Sequence, residues 1–163
     1  ESPIELFLIL HVDGNLVEAQ TLIERDQLKG NRSGTGMYLS AARSWLFNLV
    51  LAERLRRDCW QSPLDGEIEP SGPLWGRGRS VVTGDLADLE QTVLANWQSW
   101  CYALEHAGLQ QERRPLILRP QSMAWRRLQS DQLELSFVLA SGCFATVILR
   151  EVAELFRPQF KPL

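Results

Sequence analysis

The sequence predicts an α+β protein with a helical middle between two β-containing ends. Three observations carry that prediction. Leu39 to Leu55 contains no Gly or Pro and repeats apolar residues at helical spacing. Leu133, Leu135, Phe137 and Leu139 alternate with Glu134, Ser136 and Val138, the period of a half-buried strand. Leu6 to Val12 is a near-continuous apolar run closed by Asp13-Gly14, as in a strand covered on both faces.

Taken in order, the first helix starts at Asn15, with Glu18 three residues on completing a capping-box-like pair. Its apolar face is Leu16, Ala19, Leu22 and Ile23. Gln27 to Gly36 reads as a loop. Its glycines stand beside basic residues, but it lacks the spacing and the Lys-Ser/Thr ending of a phosphate-binding loop. The central helix follows, with Ser40 as its expected cap. Ala42, Leu46 and Leu49 form one apolar face and Phe47, Leu51 and Leu55 an adjoining one, so other elements should bury it. Ser40, Ser44 and Asn48 stack four apart as a polar stripe flanked by Arg43, and buried polar groups of this kind need partners.

Ser62 to Gly78, rich in Pro and Gly, reads as an irregular loop pinned by Trp75. Asp85 then caps a second long helix with the stripe Leu86, Leu89, Val93, Trp97, Trp100 and Leu104, stopped by Gly108. Its tryptophans are read as packing residues. Leu116 to Leu118 is a short strand, and Ser122 to Leu128 a second one. After the alternating strand, the turn Ala140-Ser141-Gly142-Cys143 enters a last helix, Phe144 to Glu151. Such a turn aims backbone N–H groups at whatever stands before it.

At 163 residues, 45% hydrophobic and 23% charged, the chain fits one domain or one domain with a modest insertion. No apolar run is long enough for a bilayer, and Glu1-Ser2-Pro3 has no signal-peptide character, so a cytoplasmic protein with no membrane partner is expected. Two histidines and three cysteines without metal spacing make a metal site or a His-dependent triad unlooked for, with the cysteines as reduced thiols. The net charge of −3 does not announce a nucleic-acid binder. Its distribution says more. Arg25, Lys29, Arg32, Arg43, Arg54, Arg56 and Arg57 stand against only Asp26 and Glu53, a local basic stretch able to face phosphate. The following stretch to Glu90 is acidic.

Two long segments, Tyr38 to Asn48 continuing through Ala52-Glu53-Arg54-Leu55, and Leu139 to Glu151, together resemble the TruD family of tRNA pseudouridine synthases. Gly72-Pro73-Leu74-Trp75-Gly76 and Glu112-Arg113-Arg114 support the resemblance, which runs from about Leu6 to Arg157. It implies a V-shaped enzyme in which a pseudouridine-synthase-type mixed sheet with helices carries a mostly helical, family-specific insertion. On that basis residues 1–24 belong to the catalytic domain, 25–112 to the insertion and 113–163 to the remainder of the catalytic domain. The implied activity is isomerisation of uridine 13 in tRNA with neither metal nor organic cofactor, by an aspartate acting on a base extruded from its stack. Phe144, after the glycine turn, matches a pocket residue contacting that base, with Gly142 and Thr146 beside it. Lys29, Arg32 and Arg43 become candidates for tRNA phosphate contact.

The sequence also departs from the family. The catalytic aspartate's Gly-x-Lys-Asp segment is absent, and no other aspartate inherits the role. The aromatic Asn-Tyr-Phe-Gly and Gln-Arg-Phe-Gly segment, expected between the first and central helices, is missing too. Two expectations follow. The chain joins pieces of a longer enzyme, with seams near Leu6, Asp26–Gln27 and Gly66–Glu67, or it is a non-catalytic RNA-binding relative. A scaffold for a protein partner is the reading outside RNA chemistry.

Overall fold

The computed structural model describes residues 15–25, 35–78, 80–139 and 145–152. They fall in two compact units, Glu1–Ile117 and Leu118–Leu163. The expected strand at Leu6–Val12 and the seams at Leu6 and Asp26–Gln27 lie outside the described residues.

In the first unit α1 (Asn15–Glu24) and α2 (Thr35–Arg56) are followed by β1 (Ser71–Leu74) and α3 (Gly84–Leu94). A 3₁₀ turn (Ala95–Trp97), α4 (Gln98–His106) and β2 (Glu112–Pro115) complete it. The core forms where the apolar spacing placed it: Leu16 and Ala19 of α1 meet Leu39, Ala42, Leu46 and Val50 of α2, and Leu89, Leu94, Trp100, Cys101 and Leu104 close the other side. Leu22 and Ile23 pack against that cluster as expected. The tryptophans do pack: Trp97 meets Trp45 and Trp100 edge-on at 5.6 and 5.1 Å between ring centroids.

Five local expectations are corrected. Helix α2 begins at Thr35, so Ser40 is an exposed residue of its second turn and no cap. Burial of Leu39 and packing of Tyr38 on the core extend the helix backwards through Gly36, whose intrinsic penalty is small beside those contacts. Within the supposed loop, Ser71–Leu74 is a strand, paired antiparallel with Glu112–Pro115 in the register Ser71↔Pro115 to Leu74↔Glu112. A two-stranded ribbon has open edges, so Pro73, lacking an N–H, is accommodated. Gly72 serves the packing: a Cβ there would lie 2.8 Å from the Phe47 ring, which rests directly on the ribbon backbone.

The strand expected at Leu116–Leu118 is instead displaced onto the charged run Glu112–Pro115. Arg113 and Arg114 make that possible, because each guanidinium has a partner: Ser71 and Glu90 for Arg113, the face of Phe47 at 5.3 Å for Arg114. Finally, the helix expected from Asp85 to Gly108 is broken by the 3₁₀ turn, where the Gln98 amide takes the Leu94 carbonyl at 3.0 Å. Thr83, not Asp85, occupies the N-cap position, and the Asp65 carbonyl accepts the free Leu86 N–H at 3.2 Å. Gly108, at φ +86°, does end α4. Between Leu64 and Glu67 the chain turns, with Glu67 N–H donating to the Leu64 carbonyl at 3.2 Å.

The second unit contains β3 (Gln121–Gln129), β4 (Gln132–Val138) and α5 (Ala145–Val152). Both strands expected here, Ser122–Leu128 and the alternating run from Leu133, are present and form an antiparallel hairpin, with Trp125 opposite Leu135 and Arg126 opposite Glu134. Leu135 and Phe137 are half-buried, while Trp125 is 70% exposed. Helix α5 matches the expected last helix to within a residue at each end.

Candidate nucleic-acid interface

The site is built from the end of the β1–β2 ribbon and the face of α2 beneath it. Arg43, one turn before Phe47, reaches the ribbon's end. Its Nη2 donates to the carbonyls of Leu74 at 2.9 Å and Gln110 at 2.8 Å, and approaches Glu112 Oε2 at 3.3 Å. Its Nε is buried without an acceptor. The sequence offered Arg43 to phosphate, whereas its half-buried guanidinium clips both strands of the ribbon to α2.

Beyond Leu74 the chain makes a short, closely held loop. Trp75 Nε1 donates to Glu105 Oε1 of α4 at 3.0 Å. Gly76 N–H donates to Gln111 Oε1 at 2.7 Å, and Arg77 N–H to the Leu109 carbonyl at 2.6 Å. The Arg77 carbonyl accepts the Gln111 N–H at 2.9 Å. A side chain at Gly76 would run into the Gln110 carbonyl, so the two segments cross only because this position has no Cβ. Gly78 follows at φ +125°.

Beneath the ribbon lies a buried ionic network that sequence reasoning missed. Arg54, fully buried, pairs with Glu67 and donates to the carbonyls of Cys59 and Ser62 at 2.9 Å each. Glu67 also accepts from Leu64 N–H at 3.0 Å and Ser71 N–H at 2.9 Å. Ser71 Oγ in turn accepts from Arg113 Nε at 2.9 Å, and Arg113 Nη2 donates to Glu90 Oε1 at 2.8 Å. Burial raises the Glu90 carboxyl above the usual range against the opposing pull of Arg113. The signal was present in the spacing: Arg54 continues the buried row Leu46, Val50 in steps of four, and a buried cation demands partners.

Of the other sequence-derived residues, Lys29, Arg32, Gly142 and Phe144 lie outside the described residues, as does the side chain of Thr146. The polar stripe on α2 divides: Ser40 is exposed, Ser44 half-buried and Asn48 buried, with neither amide atom of Asn48 hydrogen-bonded. Burial pushes the Cys101 thiol up to about 12, so it is a core residue and no nucleophile. Among the described residues no cluster of three or more His, Cys, Asp or Glu is gathered as a metal ion requires. No described helix is long and apolar enough to cross a membrane.

Comparison with known proteins adds the following. The sequence model of the family described as tRNA pseudouridine synthase D (TruD) matches residues 64–152. A protein named tRNA pseudouridine synthase D from Cellvibrio japonicus is 46% identical over 149 residues, which cover 90% of this chain and 44% of that relative. Relatives of the same name from Shewanella oneidensis and Aeromonas hydrophila are 38% and 37% identical over 88% and 86% of the chain, and 46% and 47% of their own lengths. The chain thus spans a little under half the length of the curated relatives it matches.

Proposed function

Because this chain belongs to the TruD family, we propose that the full-length protein is a tRNA pseudouridine synthase acting on uridine 13. The match over residues 64–152, with the names of the relatives that align to nine-tenths of the chain, is the observation that supports this reading. In the proposed reaction the uridine swings out of its stack, and an aspartate lying outside these residues assists cleavage of the bond from sugar to N1. The detached uracil turns and rejoins through C5, which releases the C5 proton to water. Neither step draws on a metal or an organic cofactor.

Phe144 is proposed to lie against the extruded base, with Gly142 and Thr146 forming the pocket beside it, since a splayed base is held by stacking and a few hydrogen bonds. Lys29 and Arg32 are proposed phosphate contacts. Arg43, already engaged by two carbonyls and Glu112, is proposed to hold the ribbon and not the nucleic acid.

The test uses the full-length protein and unmodified tRNA carrying tritium at uridine C5. Release of tritium, lost when cytidine replaces uridine 13, is the expected result. Release that survives the replacement overturns the assigned position. Tight tRNA binding with no release returns the protein to a non-catalytic RNA-binding relative. Phe144→Ala is expected to lower turnover at an unchanged melting temperature, and equal loss of both makes Phe144 a core residue.

A further inference from the structure

We infer that Arg77 is a preorganised phosphate contact for the tRNA substrate, an inference that rests on the reading of the protein as a tRNA-modifying enzyme. The loop that carries it has no backbone freedom left at this residue. Both the N–H and the carbonyl of Arg77 are hydrogen-bonded, to Leu109 and Gln111, and the bridge Arg77↔Gln110 aligns the two segments. Trp75 anchors the loop to Glu105, Gly76 permits its close crossing of Gln110, and Gly78 turns the chain away at once. Arg43 secures the base on both sides through the carbonyls of Leu74 and Gln110.

On this fixed mount the Arg77 side chain is exposed and has no acidic partner among the described residues. Of the other exposed arginines, Arg56 and Arg57 share Glu53 and Arg126 pairs with Glu134. Arg25, Arg119, Arg127 and Arg150 also have no acidic partner among the described residues, so it is the closely held loop that distinguishes Arg77. The acids on this scaffold are already engaged, Glu112 by Arg43 and Glu105 by Trp75. A guanidinium held by a rigid loop and left without a counter-charge suits phosphate, which it grips through two parallel N–H donors. Because the loop is ordered beforehand, contact immobilises only the side chain and wastes little affinity on ordering.

The test measures binding of the full-length protein to unmodified tRNA over a salt series, alongside pseudouridine formation. Arg77→Gln is expected to weaken binding roughly three- to tenfold and to reduce the slope of log affinity against log salt by about 0.7–0.9, the value of one lost phosphate contact. The melting temperature stays as in the wild type. Arg77→Lys keeps the slope and loses part of the affinity, because a point charge replaces the fork. Arg43→Lys, which loosens the mount, weakens binding too, and adding it to Arg77→Gln gives no further loss. Additive losses from the two changes overturn the preorganised mount. Wild-type affinity and slope in Arg77→Gln, in a protein that does form pseudouridine, overturn the inference and leave the function standing. A wild-type protein that neither binds nor converts tRNA overturns both.

Discussion

The helical body of residues 15–117 and the hairpin of residues 121–138 use charged and apolar side chains in opposite ways. In the body, Arg54 and Glu67 are buried to within 3% as a pair, and Glu90 meets Arg113 a short distance along the same hydrogen-bonded chain. In the hairpin the ion pair Arg126–Glu134 stands in solvent, and Trp125, Leu133 and Val138 are more than half exposed. The body is therefore specified by polar groups that fit only one arrangement of α2, the ribbon and α3. The hairpin is specified by its ladder and its alternation, and a two-stranded hairpin is marginal by itself. The difference separates two kinds of sensitivity to mutation, one to lost partners and one to lost cover.

The sharpest way to break the comparison is Arg54→Met. It leaves the Glu67 carboxylate buried with only the Leu64 and Ser71 donors, and removing one member of a buried pair costs about 3–5 kcal/mol. Arg126→Met in the hairpin removes a solvent-exposed pair and costs between about 0 and 1 kcal/mol. Urea unfolding of the full-length protein measures both, and equal costs would mean that water reaches the Arg54–Glu67 pair. Next in size is Gly72→Ala. The new methyl lands against the Phe47 ring, and overpacking of this sort costs about 1–3 kcal/mol. Trp125→Ala, at an exposed hairpin position, stays within about 0.5 kcal/mol in the same measurement. A larger loss at Trp125 would show that the full-length protein covers that face.

The same contrast explains what the sequence made legible. Elements defined by periodicity were readable: α2 from its doubled apolar face, β4 from its alternation, and the stop at Gly108. Elements defined by partners were not. Ser71-Gly72-Pro73-Leu74 looks like a turn because Gly and Pro break local patterns, and only the Phe47 ring and the facing strand make it extended. Glu112-Arg113-Arg114-Pro115 has no apolar alternation, because its side chains are satisfied by Ser71, Glu90 and Phe47, residues far away along the chain. The candidate site divides similarly. Arg43 was visible as a cation in a basic stretch, but whether a cation faces solvent or a carbonyl depends on Leu74 and Gln110, which no local spacing reveals. Arg77 was passed over because it stands in an acidic stretch, where composition hides a cation that has no acidic partner among the described residues.

The smallest expected effect discriminates most finely, because two glutamates of the body should respond to pH with opposite signs. Hydrogen bonds from Arg56 and Arg57 hold the Glu53 carboxyl down at about 2. A folded-state value below the unfolded one means stability that is complete above the ordinary value of 4.5 and lost as pH falls from there toward 2. Glu90 is the reverse case. Burial raises it, so its protonated form favours the fold, and stability is lost as pH climbs past the ordinary value. Unfolding midpoints from about pH 3 to pH 7 test this through the wild-type advantage over each variant. That advantage should grow with pH for Glu53→Gln up to the ordinary carboxylate range and shrink with pH for Glu90→Gln. Arg113 keeps its bonds to Ser71 in the second variant, so folding survives to be measured. Parallel curves would mean that Glu90 is as well solvated as Glu53, and the buried network of the body would lose its electrostatic distinction from the exposed pairs on the body's own surface.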